Sequence, residues 1–193
     1  FYGCTSLTSI NIPDSVTKIR GSTFMDCTSL TSITISDSVT EIGWEAFQGC
    51  TSLTSITIPD SVTKIGSMAF LRCTALASIT IKDGVTTIGD AAFQGCTSVQ
   101  SITIPDSVTE ISVEAFYGCT ALTQVICNNP DLFTDQNTQN RDQIQFISTT
   151  DYFNDNYQDL LNTIEDSGFN SNHVTSKELN LIMKLHQEDY LPN

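Results

Sequence analysis

Seven cysteines, two histidines and a recurring aspartate are the residues of this sequence with chemistry to offer. Cys4, Cys27, Cys50, Cys73, Cys96 and Cys119 stand 23 residues apart, and Cys127 follows them. A thiol can act as a nucleophile, as a zinc ligand or as half of a disulfide. Zinc ligands come in short-spaced pairs, and even spacing is not that pattern. A catalytic Cys–His pair needs an accessible thiolate beside an imidazole. The histidines, His173 and His186, both lie beyond the cysteine series, and neither has a cysteine close in sequence. Asp14, Asp37, Asp60, Asp83 and Asp106 repeat with the same spacing. Stacked about 4.8 Å apart, such carboxylates repel one another. Calcium-binding β-rolls relieve that repulsion with G-G-x-G-x-D turns, which are absent here. The aspartates therefore read as turn formers. No set of residues reads as catalytic, and neither a cofactor nor a metal is expected.

The elements that carry these residues are set by the period itself. Aligned copies keep Phe24, Phe47, Phe70, Phe93 and Phe116 in one position, followed by the cysteines. Leu30, Leu53, Leu76, Val99 and Leu122 come next, then Ile33, Ile56, Ile79, Ile102 and Val125. Ile58 follows Ile56 with a Thr between, the alternation of a half-buried strand. Ser61–Ile65 forms a second short β-rich stretch, and Pro59-Asp60-Ser61 is the corner between the two. Gly43, Gly66 and Gly89 mark a further corner, where a positive φ is expected. One coil cannot bury its own apolar side, whereas stacked coils bury a continuous column. Cysteines in such a column point the same way from adjacent rungs, a poor match to disulfide geometry. They are expected to be free, buried and unreactive.

The stretch LTSITIPDSVTKIGSMAFLRC resembles the leucine-rich repeat of the BspA type, also called the Treponema pallidum type. The resemblance covers residues 1 to 127. It implies a leucine-rich repeat solenoid of parallel β coils, with the L-x-x-I-x-I strands forming a sheet on the concave side. Family members are known as bacterial and protozoan surface adhesins and as secreted effectors of intracellular bacteria that bind proteins. The family shares no catalytic residues to carry over.

Two sets of positions are free of the columns. The outward strand positions, such as Ser55, Thr57, Ser78 and Thr80, form a nearly uniform hydroxyl surface. It reads either as solvated strand or as a hydrogen-bonding platform. The residues flanking each Phe vary instead. Tyr2, Met25, Leu71 and Tyr117 follow a Phe, while Trp44 and Met68 stand a few residues before one. Interfaces favour these residue types. The alternative is that they fold back to close the coil. Trp44, the only tryptophan, is the foremost candidate for partner binding.

Formal net charge is −14, from 8 Lys and Arg against 22 Asp and Glu. Nucleic acids and anionic membrane surfaces both need a basic footprint, so they are excluded as partners. No apolar run is long enough to span a bilayer. The chain opens at Phe1, inside a repeat and without Met, and reads as a fragment of about 5.5 repeats. After Cys127 the pattern stops. Residues 128–193 are expected to form a C-terminal cap with helices over 151–166 and 176–189, and 134–143 an exposed loop. Tyr152, Phe153, Tyr157, Leu160, Leu161 and Ile164 fall on one helical face. Thr175-Ser176-Lys177-Glu178 supplies a capping box for the second helix. The expected function is non-catalytic: a module, monomeric by itself, that binds and can inhibit a specific protein, as effectors of intracellular bacteria do. The alternative is a fragment of a surface adhesin. Unpaired thiols lean towards a reducing, intracellular compartment.

Overall fold

The computed structural model describes residues 1–149, 151 and 152. Each repeat contributes one rung with two short strands. On the first face lie β1 (Ser9–Asn11), β3 (Ser32–Thr34), β5 (Ser55–Ile58), β7 (Ser78–Ile81), β9 (Ser101–Thr103), β11 (Gln124–Ile126) and β12 (Gln145–Ile147). On the second face lie β2 (Lys18–Ile19), β4 (Glu41–Ile42), β6 (Lys64–Ile65), β8 (Thr87–Ile88) and β10 (Glu110–Ile111). All pairings are parallel. Ser55 faces Ser78 and Ile56 faces Ile79, so each residue meets its own counterpart one period away. The second face forms one five-stranded sheet, in the order β10-β8-β6-β4-β2. The first face is hydrogen-bonded in three groups, β1-β3, β5-β7 and β9-β11-β12.

Sequence alternation explains the strands. In β5, Ile56 and Ile58 are buried while Ser55 and Thr57 are exposed. The corner after it is a β-turn closed by Val62 N–H donating to the Pro59 carbonyl at 3.1 Å. The core is a set of parallel columns. Phe24, Phe47, Phe70, Phe93 and Phe116 stack ring on ring, with centroids 5.1–5.4 Å apart. Cysteine, leucine and isoleucine columns run beside them and are mostly buried, with Cys4 exposed and Leu7, Ile10 and Ile33 partly buried.

Two expectations change. Gly43, Gly66 and Gly89 do not supply a positive φ. A Cβ on Gly43 would stand 2.6 Å from the Gly21 nitrogen, and one on Gly66 would stand 2.5 Å from the Gly43 carbonyl carbon. These glycines let successive corners approach. The left-handed conformation falls two residues later, at Glu45, Met68 and Ala91 (φ 51°, 58° and 53°), and again at Gly49, Arg72 and Gly95 (φ 73°, 60° and 74°).

The stack also continues past Cys127, where the sequence pattern ends. Short 3₁₀ turns at Pro130–Leu132 and Arg141–Gln143 lead into β12, which pairs with β11 and sets Phe146 opposite Val125. The Phe133 ring stacks on Phe116 at 5.4 Å and extends the aromatic column. Within 134–143, expected as an exposed loop, Asn137 and Thr138 are only 3% and 2% exposed. The compact repeat unit therefore spans Phe1–Ile147, and a second unit spans Ser148–Asn193. In the latter, Asp151 N–H donates to Ser148 Oγ at 3.0 Å, an N-cap bond at the start of a helical turn. Beyond Asp151 and Tyr152, the helix expected over 151–166 lies outside the described residues, as does all of 176–189.

Candidate functional site

The variable residues lie on the turn that carries each phenylalanine inward. Successive turns are joined by a backbone ladder. Glu45, Phe47 and Gly49 donate to the carbonyls of Ser67, Ala69 and Leu71 at 2.9, 2.7 and 2.9 Å. The next rung repeats this, with Met68, Phe70 and Arg72 bonded to Asp90, Ala92 and Gln94 at 2.7–2.8 Å. Ala46 and Ala69 are buried beside Phe47 and Phe70, and the remaining turn positions are held by backbone bonds that do not depend on side-chain identity. Within one turn, Leu71 N–H donates to the Met68 carbonyl at 3.1 Å, so the two variable positions flank the buried Phe70.

Trp44, Tyr2, Tyr117 and Met68 are 59%, 66%, 44% and 39% exposed. Met25 and Leu71 are half-buried. Tyr2, Met25, Leu71 and Tyr117 belong to one ladder of equivalent positions, while Trp44 and Met68 occupy adjacent columns on adjacent rungs. Val113, in the Trp44 column, is 52% exposed and joins this set. Its membership was readable from alignment alone, since Gly21, Trp44, Ser67, Asp90 and Val113 share a position. Packing beneath Trp44 was not readable. A Cβ built on Gly21 would clash with the indole atoms Nε1, Cε2 and Cδ1, so the ring lies against the bare Gly21 backbone. Beside it, Ser22 Oγ donates to Glu45 Oε2 at 3.2 Å.

The residues with intrinsic reactivity are placed differently. Cys50, Cys73, Cys96 and Cys119 are buried, and each thiol donates to the carbonyl of a Phe on the preceding rung at 3.1–3.3 Å. Burial pushes the Cys50 and Cys119 thiols up to about 12 and those of Cys73 and Cys96 well above the usual range. A thiol in that state is neither a nucleophile nor a ligand. All seven cysteines are free, and Cys4 is exposed. Among the aspartates, Asp14 accepts from Ser36 Oγ at 2.6 Å and Asp106 from Asn128 Nδ2 at 2.9 Å. Among the described residues no group of three His, Cys, Asp or Glu is arranged to hold a metal ion, and no helix is long and apolar enough to cross a membrane.

The family model described as "BspA type Leucine rich repeat region" matches the chain in 6 copies, over residues 1–123 and 72–185. Among solved structures, the leucine-rich repeat protein of T. pallidum is similar at 32% identity and a TM-score of 0.60, over 62% of this chain and 58% of that one. A leucine-rich repeat protein from Eubacterium ventriosum is similar at 28% identity and a TM-score of 0.55, over 61% of this chain and 32% of that one. The chain thus spans less than two thirds of either structure. No curated protein matches it.

Proposed function

Since the chain belongs to the BspA-type leucine-rich repeat family, a fold used as a binding scaffold, we propose that it is a non-catalytic module that binds one specific protein through the variable residues of its Phe-bearing turns. The observation that carries this reading is the exposure of Trp44, Met68, Val113 and Tyr117 on backbone ladders whose geometry is the same from rung to rung. Large apolar side chains held rigidly in solvent lose little conformational freedom on binding. Such residues supply the anchors of protein interfaces. The hydroxyl surface of the first face carries no comparable anchor. In this reading the molecule acts as a discrete binder, in the manner of a secreted effector.

The reading is tested on the complex recovered with the natural partner. Trp44→Ala, Leu71→Ala and Tyr117→Ala are each expected to weaken it by about thirtyfold, while circular dichroism stays unchanged. Thr57→Ala and Thr80→Ala are expected to change affinity by no more than about tenfold. Loss of binding confined to the two Thr variants would move the interface to the first face. A partner that proves to be a matrix component outside the cell would favour an adhesin.

A further inference from the structure

Two pairs of neighbouring residues are laid one over the other at the second rung. Trp44 covers Gly21, and Glu45 reaches Ser22. Because Trp44–Glu45 and Gly21–Ser22 are each consecutive, the indole and the carboxylate lie over adjacent positions of the rung below. The other rungs do not repeat this, having Ser67–Met68, Asp90–Ala91 and Val113–Glu114 at the same positions. Gly21 matters because any side chain there would lift the ring off the backbone. The indole is thereby held against the surface on one side while remaining 59% exposed overall. Glu45 Oε2 is oriented by the Ser22 hydroxyl, and no described residue donates to Oε1.

We infer that Gly21, Ser22, Trp44 and Glu45 form a socket for an arginine side chain presented by the partner protein, an inference that rests on the binding role proposed above. An indole face carries the negative lobe of its quadrupole and attracts cations, Trp most strongly. A guanidinium is planar, so it can stack on the ring while its N–H edge meets a carboxylate. The chain holds one such pairing of its own, with Arg141 Cζ 5.2 Å from the Phe146 ring centre. None of its other described cations lies over a ring, so the outer face of Trp44 has no partner of this kind within the described chain. The overall charge of −14 favours approach by a basic surface. A sugar can also stack on an indole and donate a hydroxyl to the carboxylate, but only a cation gains the charge attraction as well.

Trp44 is the only tryptophan, so its fluorescence and its indole N–H resonance report on the socket without a label. The probe is acetyl-Gly-Arg-Gly-amide, titrated into the full chain beside the citrulline and lysine analogues and a neutral glucose oligomer. A saturable shift of the Trp44 signal is expected with the arginine peptide, a weaker one with lysine and none with citrulline. Glu45→Gln should reduce affinity by about threefold, the weight of a part-exposed ion pair. Gly21→Ala should displace the indole and abolish the shift, leaving the melting temperature within the range of other surface variants. An equal response to citrulline, a response to the glucose oligomer alone, no response to arginine, or full binding by Gly21→Ala would each overturn the inference. The binding role fails separately. It survives if arginine is not bound but Trp44→Ala still weakens the natural complex, and it falls if the Trp44, Leu71 and Tyr117 variants all bind that partner normally.

Discussion

Asn137 Nδ2 donates to the Ile111 carbonyl at 3.1 Å. On every preceding rung that carbonyl's equivalent is met by a backbone N–H of the next corner. Gly43 serves Ile19 at 2.8 Å, Gly66 serves Ile42 at 2.8 Å, Gly89 serves Ile65 at 3.0 Å and Ser112 serves Ile88 at 2.9 Å. Beyond Ile111 no described strand extends the second sheet. One side-chain amide stands in for the missing backbone donor. The same residue accepts from Phe116 N–H through its own carbonyl at 2.7 Å, the place taken by Ala115 beneath Phe93.

Asn137 also donates to the Leu132 carbonyl at 2.7 Å and accepts from Thr134 N–H at 2.9 Å, and it is 3% exposed. Asn137→Leu keeps the branched shape with greater bulk and removes the three side-chain bonds, leaving the backbone bond from Phe116 in place. Buried groups left unsatisfied cost about 1–3 kcal/mol each, and relaxation recovers part of that. The expected loss in urea denaturation is about 2–4 kcal/mol. Asn137→Asp should cost more at pH 7 than at pH 4, because an ionised carboxylate would face two carbonyl oxygens. An unchanged midpoint for both variants would show that the end of the sheet does not depend on this residue.

The interior was legible because a repeated position has a repeated environment. Phe70 and Cys73 sit where their counterparts sit, so identity along a column predicts burial. Legibility fails where spacing changes. Phe133 follows Phe116 by 17 residues and Phe146 lies 21 after Val125, so no period marks the last rung, although Phe133 extends the aromatic column and Phe146, opposite Val125, meets Phe133 edge-on. Gly43 shows a different limit. Glycine signals either a positive φ or a close approach, and sequence does not separate the two. Trp44 was visible as an outlier from every column, but its seat on Gly21 joins residues 23 apart and depends on stacking register.

The aromatic column should be unequal along its length. Phe70 has no solvent exposure and stacks on Phe47 at 5.1 Å and on Phe93 at 5.2 Å. Phe1 is 62% exposed and stacks on Phe24 alone among the described rings. Phe70→Ala should therefore cost about 3–5 kcal/mol. Phe1→Ala, which leaves no enclosed cavity, should cost less than about 1 kcal/mol. Chemical denaturation of both variants measures the difference. Equal losses would mean that the cost of removing a ring does not follow its burial.

Arg72 occupies the left-handed position that is glycine on four other rungs, at Gly3, Gly49, Gly95 and Gly118. Its φ is 60°, against 73° at Gly49, 74° at Gly95 and 75° at Gly118. A side chain there costs about 1–2 kcal/mol relative to glycine, partly offset by the greater freedom glycine has when unfolded. The Arg72 side chain is exposed and makes no hydrogen bond or ion pair among the described residues. Arg72→Gly should therefore raise stability by about 0.5–1 kcal/mol, seen as a higher melting temperature. Gly49→Ala is the opposing control, since its Cβ would collide with Asp26 Oδ1 and the left-handed φ would remain. A fall in melting temperature for Arg72→Gly would show that the arginine stem contributes packing that outweighs its backbone strain.

The thiol column makes stability depend on alkaline pH. Burial raises the Cys50 and Cys119 thiols from 9.0 to about 12, with Cys73 and Cys96 shifted in the same direction. Folded chains thus keep these protons after unfolded chains have lost them. Since the folded state then binds more protons, stability falls as pH rises. It is fully present below pH 9 and is lost progressively towards pH 12 as Cys50 and Cys119 titrate. Each such thiol contributes about 1.4 kcal/mol per pH unit inside that window. Lysine and tyrosine titrate there too, so the measurement is a comparison. Denaturation of the parent and of Cys50→Ala between pH 8 and 11 should give a slope shallower by about one proton in the variant. Alkylation of the native protein at pH 8 should label Cys4, which is exposed, and leave Cys50, Cys73 and Cys96 unlabelled until denaturant is added. Equal slopes, together with rapid native labelling of Cys73, would mean that the column opens to solvent and that its thiols are not held by the stack.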